Sequence, residues 1–107
     1  MINLWNKIGV PKKNWVGVSV HDLGKNNTQL CEMCGSKHIR FVHTMSHINY
    51  KQLECGCHCA ENMSKDYVGR KTETLLRKKA AAEERLKYKN ILRDARMLHN
   101  IIHRGIL

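Results

Sequence analysis

Five cysteines and a pair of histidines carry most of the chemistry that this sequence offers. Cys31-Glu32-Met33-Cys34-Gly35 opens a cysteine-rich stretch and Cys55-Gly56-Cys57-His58-Cys59 closes it, with no cysteine elsewhere. Two pairs of thiolates, each held on a tight turn, make the tetrahedral site that structural zinc takes. The C-x2-C-G knuckle puts Cys31 and Cys34 on one turn, and Gly35 supplies the backbone freedom that the turn needs. The second pair must come from Cys55, Cys57, His58 and Cys59. If the first residue of a C-x-C pair sits just before a helix and the second in its first turn, Cys57 pairs with Cys59 and Cys55 is a spare thiol. A reduced cysteine cluster and an iron–sulfur cluster are the alternatives. His43 and His47 stand four apart, a spacing that would hold a metal on a helix. After a strand they belong to a loop, where His43 reads as a hydrogen-bonded structural residue or a replacement ligand.

The elements that must position these groups follow from the periodicity. Residues 39–43 and 50–54 read as paired strands joined by a loop over 44–49, a hairpin that brings Cys34 and Cys55 to the same end. Upstream, residues 15–20 alternate, with Trp15, Gly17 and Ser19 on one face and Val16, Val18 and Val20 on the other, the valine face predicted as core. Residues 1–14 read as a short lead-in helix or an extended arm. A helical pattern starts at Cys59 and is interrupted at Gly69. From Thr72 no Gly or Pro occurs before Gly105, which predicts one long helix, or two with a bend at 87–90. Tyr88, Ile91, Ala95, Leu98 and Ile102 make an apolar seam on it, and Met33, Met45 and Met63 read as gap-fillers around the metal module. Knuckle, hairpin and helix-borne second pair describe a treble-clef-like zinc module. The fold class is α+β, with an N-terminal strand and a long basic C-terminal helix. Residues 1–69 form the zinc-binding part and residues 70–107 the helical segment of what is overall one domain.

At 107 residues, 42% hydrophobic but only 6% aromatic, the chain is near the size at which a core just supports itself. A structural metal, contributing on the order of ten kcal/mol in small zinc modules, would be a large share of the folding free energy. The net charge is +10 and uneven: residues 65–107 hold twelve Lys and Arg against five Asp and Glu, residues 1–64 seven against four. That balance favours a polyanionic partner. Lys12 and Lys13, Arg70 and Lys71, and Arg77, Lys78 and Lys79 are the clusters placed to contact it, a solvated helix face being the plainer reading of each. No aromatic platform accompanies them, which argues against specific single-strand binding. Arg40 would pair with Glu32 or Glu54, or contact phosphate. An odd cysteine count without a secretory signal fits the cytoplasm, and no run approaches a membrane span.

The order Cys31-Glu32-Met33-Cys34-Gly35, then Ile39-Arg40-Phe41-Val42-His43-Thr44-Met45-Ser46-His47, then Gly56-Cys57-His58-Cys59-Ala60-Glu61-Asn62-Met63 resembles a family of small phage and bacterial zinc-binding proteins. Its pattern is C-E-x-C-G, I-R-[YF]-V-H-x-M-x-H and G-C-x-C-A-x-x-M ahead of a basic helix, and the likeness covers about residues 15–97. The resemblance implies Cys31, Cys34, Cys57 and Cys59 as the ligand set and a phage or mobile-element origin, with the host cytoplasm as location. It brings no activity. The expected function is non-enzymatic nucleic-acid binding, DNA before RNA, around a structural Zn2+. An inhibitor or adaptor acting on a host nucleic-acid-handling or defence complex comes second. An HNH-like metal-dependent nuclease with His43 as base comes third, lacking the expected histidine doublet and downstream Asn/His pair. Dimerisation would use the seam of the long helix.

Overall fold

The computed structural model describes residues 2–101, with side chains described through Lys89. It is α+β, as the periodicity predicts. A single 3-10 turn, Leu4–Asn6, precedes strands β1 (Val16–Asp22), β2 (Gln29–Leu30), β3 (His38–Ile39), β4 (Phe41–His47) and β5 (Tyr50–Cys55), then helices α1 (Cys57–Met63) and α2 (Gly69–Ile101). The chain divides by its internal packing into Met1–Leu76 and Arg77–Leu107. That boundary lies inside α2 rather than after Gly69. Of the apolar seam, Ile91, Ala95, Leu98 and Ile102 lie outside the residues whose side chains are described, and Tyr88 is exposed.

In the first unit, β1, β4 and β5 form an antiparallel sheet in that order, and β2 pairs with β3 in a separate two-stranded ribbon. β4 is the central strand. Its consecutive residues Phe41, Val42 and His43 are all buried, so it is covered on both faces rather than alternating in and out. It also runs further than the expected strand over 39–43: a tight turn at Ile48 and Asn49 replaces the longer loop, and His47 lies on the strand itself. Met33, Ala60 and Met63 join Met45 and Leu53 of the sheet in the core, with Trp15 closing one side through Trp15 N to Met63 O (3.2 Å) and its indole N–H to Pro11 O (2.9 Å). The three methionines at 33, 45 and 63 are fully enclosed, in keeping with their flexible, gap-filling shape.

Two expectations are corrected here. The valine face of β1 is not core: Val16 and Val18 are more than half exposed. β1 is the edge strand, and its register slips between Gly17 and Ser19, leaving Val18 without a partner on β4. A bulge of this kind breaks the two-residue alternation on which the face assignment rested. Arg40 does form an ion pair, but with Asp22, through Nε to Oδ1 at 2.7 Å and Nη2 to Oδ2 at 2.9 Å. The pairing of Asp22 with Phe41 across β1 and β4 carries that carboxylate to Arg40. Glu32 and Glu54 instead tie the knuckle and β2 to β5: the Glu54 amide donates to Glu32 Oε1 (2.8 Å), and Glu54 Oε2 accepts from Gln29 Nε2 (2.7 Å).

The segment between α1 and α2 is fixed by one side chain, Tyr67. A Cβ at Gly17 would stand 2.6 Å from its ring, and a Cβ at Gly69 would overlap its phenol. Two glycines thus provide the space in which the ring crosses from β1 to reach His43. Gly17→Ala and Gly69→Ala should each destabilise the fold by about 1–3 kcal/mol through overpacking. In urea unfolding, most of that loss should disappear in a Tyr67→Ala background, as a double-mutant cycle would register.

Candidate metal centre

The knuckle is the loop of the small ribbon. Gln29 pairs with Ile39 and Leu30 with His38, and Cys31 N donates to Lys37 O at 2.8 Å. The turn closes through Gly35 N to Cys31 O (2.8 Å), with Gly35 at φ 71°, a left-handed conformation that a side chain would strain. The other sulfurs come from the end of β5 and the start of α1, with Gly56 as the helix N-cap between them. Cys31, Cys34 and Cys59 have their Sγ atoms within 4.8 Å of one another, a group able to hold a metal ion.

Cys55 lies beside this group: it is fully buried, and its thiol is hydrogen-bonded to Cys31 and lies in the field of Cys59. Backbone amides are directed at the sulfurs as well. Gly56 N lies 3.3 Å from Cys31 Sγ, the Cys34 amide also serves Cys31, and the Met33 amide serves Cys55. From the N-terminal arm the Trp5 indole N–H reaches Cys59 Sγ at 3.4 Å, while Leu4 N bonds Met33 O at 2.8 Å and holds that arm on the knuckle. Such donors stabilise thiolate charge and orient ligands.

The surroundings of each sulfur decide which of them carries charge. The Cys31 thiol is held far below its usual range, first by the hydrogen bond from Cys55, then by that from Cys59, against the opposing effect of burial. Cys55 and Cys59 are both driven well above theirs, foremost by the bond to Cys31 and next by burial. One thiolate therefore accepts from two thiols. A cation entering the cluster takes the place of those protons, so metal uptake and proton release are linked.

Cys57, grouped with Cys31, Cys34 and Cys59 on spacing, lies elsewhere. The helix begins at Cys57 itself, so Cys57 and Cys59 are about 200° apart around its axis and face opposite ways. Cys55 and Cys59, spaced C-x3-C across the helix start, are the pair brought beside the knuckle. The Cys57 sulfur joins His43 and Glu73, the three ligand atoms again within 4.8 Å of one another. Burial, partly offset by Arg70, pushes the Cys57 thiol up to about 11.

His43 is wholly buried and hydrogen-bonded at both nitrogens, Nδ1 to the Tyr67 hydroxyl at 2.5 Å and Nε2 to Glu73 Oε1 at 2.8 Å. It is no part of the thiolate group. Tyr67 is pushed up to about 12, chiefly by burial and then by the charge of Cys57. Neither Tyr67 nor Glu73 carries a local sequence signal, because each reaches His43 from a distant segment. His47 packs against Trp15, with ring centroids 5.1 Å apart, and His58 is exposed.

Of the basic residues singled out by charge, Lys12 turns inward, its ammonium donating to Lys7 O (2.7 Å) and Val10 O (2.6 Å). Arg70 holds Glu61 in a forked ion pair that keeps that carboxyl below its usual range. Lys13 and Lys71 are exposed in the first unit, and Arg77, Lys78 and Lys79 in the second. Among the described residues no helix is long and apolar enough to cross a membrane.

Comparison with protein-family models, curated proteins and solved structures finds no match. Chelation should collapse the near-ultraviolet circular dichroism of the first unit and change the fluorescence of Trp5, whose indole touches Cys59. Elemental analysis without metal, or a near-ultraviolet spectrum unaltered by chelator, would contradict this.

Proposed function

We propose that the chain is a zinc-stabilised, non-enzymatic nucleic-acid-binding protein. In this reading Cys31, Cys34, Cys55 and Cys59 hold a structural Zn2+ and α2 contacts phosphates. Zinc is favoured by an all-sulfur, largely buried donor set, one pair from the knuckle and one from the strand-to-helix junction, and soft thiolates select it over harder cations. The order of knuckle, hairpin and helix supports a treble-clef-like module, and the resemblance to small phage proteins with the same cysteine order agrees with it. Cys55 replaces Cys57 as fourth ligand because it is hydrogen-bonded to Cys31 and lies in the field of Cys59, whereas the Cys57 sulfur is grouped with His43 and Glu73. Cys55→Ser should therefore weaken zinc retention and lower Tm, whereas Cys57→Ser should keep the tightly bound equivalent. Chelator competition followed by a thermal scan measures both.

The observation that carries the nucleic-acid reading is the distribution of charge along α2 within the second unit. Lys78, Arg85 and Lys89 are exposed and fall within about 40° of one another around the helix axis. Arg77 and Lys79 stand about 100° to either side of Lys78 and Lys87 lies opposite, while Glu83 and Glu84 are at least about 100° from the stripe itself. A one-sided row of cations tracks a phosphate backbone without reading bases, so binding is weakly sequence-specific and steeply salt-dependent. The triple variant Lys78→Glu, Arg85→Glu, Lys89→Glu should bind a random-sequence duplex at least about ten-fold more weakly, with a shallower salt dependence. Equal binding by this variant, or no binding by the natural chain to DNA or RNA at low salt, would remove the reading.

A second reading, a protein-binding inhibitor or adaptor, is favoured by an open groove of about 810 Å³ in the first unit. Its lining includes the exposed apolar Val68 and Leu75 beside Arg70 and Lys71. A partner recovered from host lysate that survives nuclease treatment would favour it over the first.

A further inference from the structure

The thiolate cluster leaves unexplained why a third kind of ligand chemistry converges on the opposite side of α1. His43 from β4, Cys57 from the first position of α1 and Glu73 from α2 bring one nitrogen, one sulfur and one carboxylate oxygen within 4.8 Å of one another. A buried histidine needs two hydrogen-bond partners, and Tyr67 with Glu73 already provides them. The sulfur is therefore surplus to a purely structural role for His43.

We propose that His43, Cys57 and Glu73 form a second, open site for a zinc-class divalent cation, whose fourth position takes water or an anionic oxygen ligand from the adjoining groove. Nitrogen, sulfur and carboxylate donors together suit a borderline cation, and three protein ligands with one position left over is the pattern of exchangeable rather than closed zinc sites. Little rearrangement is required. Around a tetrahedral ion the His43 nitrogen and the Glu73 oxygen would separate from 2.8 Å to about 3.3 Å.

With Nε2 on the metal, Nδ1 carries the ring proton and donates it to the Tyr67 oxygen, which lies in place at 2.5 Å. Metal-bound histidines are held in this way by a partner on the far nitrogen. The glycines at 17 and 69 that admit the Tyr67 ring thereby serve the site.

The fourth position has an outlet. Tyr67 and Glu61 line the groove and also touch the site, Tyr67 through His43 and Glu61 as acceptor from Cys57 Sγ at 3.7 Å. The groove wall carries Arg70 and Lys71 beside Glu61 and Asp66, with Arg70 paired to Glu61, so Lys71 is the cation best placed to accompany an anionic oxygen ligand. Because Cys57 and Cys59 diverge around α1, the two centres share no ligand.

The test is a Co2+ titration of the full chain after loading with one equivalent of Zn2+. The second equivalent should bind with a thiolate-to-cobalt absorption about a quarter of that given by Co2+ in the four-cysteine cluster, one sulfur against four. Cys57→Ser should abolish that band. Glu73→Gln, which keeps a hydrogen-bonding partner for His43, should weaken the second equivalent at least about ten-fold while far-ultraviolet circular dichroism stays unchanged. A band sensitive to Cys57→Ser identifies this site whether or not zinc fills the cysteine cluster, so its outcome is separate from that of the zinc module. Absence of a thiolate band beyond the first equivalent in the natural chain overturns the proposal, as does undiminished second binding in either variant.

Discussion

Four cysteine sulfurs meet where the N-terminal arm, the knuckle, the end of β5 and the start of α1 converge, and the first unit depends on what keeps them together. Hydrogen bonds between thiols are weak, and a buried thiolate is costly unless donors or a cation surround it. Here the donors are present as backbone amides and the Trp5 indole. Their geometry suits negative charge on sulfur, which is the form that binds metal. The apolar core is small and includes several of these same residues, Cys31, Cys55 and Cys59. Core and sulfur cluster are therefore one object: sulfur stands at positions where other domains have leucine.

The orientation of α1 transmits that constraint. It has seven residues, too few to be stable alone, so its direction is set by Cys59 on one side and by Ala60 and Met63 against the sheet. Once that direction is fixed, Cys57 has no choice of neighbour: the helical step turns it to His43 and Glu73. Tyr67 then completes the arrangement from the connection to α2, through space left by two glycines. A change in the sulfur cluster would consequently be felt at His43 without any direct contact between the two.

Legibility in the sequence followed the range of each interaction. The C-x2-C-G knuckle was readable because the turn and its glycine are adjacent residues. The hairpin was readable from its apolar runs, and the long helix from its composition. The second cysteine pair was not, since its identity depends on whether the helix starts at Cys57 or beyond it, and boundaries are the least determined part of any such reading. With the start at Cys57, the C-x3-C spacing of Cys55 and Cys59 becomes the informative one. The burial of β1 was misread because one bulge and an edge position cancel alternation. Arg40 was assigned the right kind of partner but the wrong one, as strand register, and not separation along the chain, decides which carboxylate it meets. Tyr67 and Glu73 meet His43 only through tertiary folding.

The bulge at Val18 has a further consequence for how the protein behaves among its own copies. An edge strand with exposed valines is a template on which another extended chain can be laid, and neighbouring molecules at high local concentration would find it. Adding a strand requires an evenly spaced row of free amides and carbonyls. The slip between Gly17 and Ser19 interrupts that row in the middle of β1. The irregularity that hid the face of this strand from its sequence thus also guards a sticky margin of the sheet against growth into fibrils.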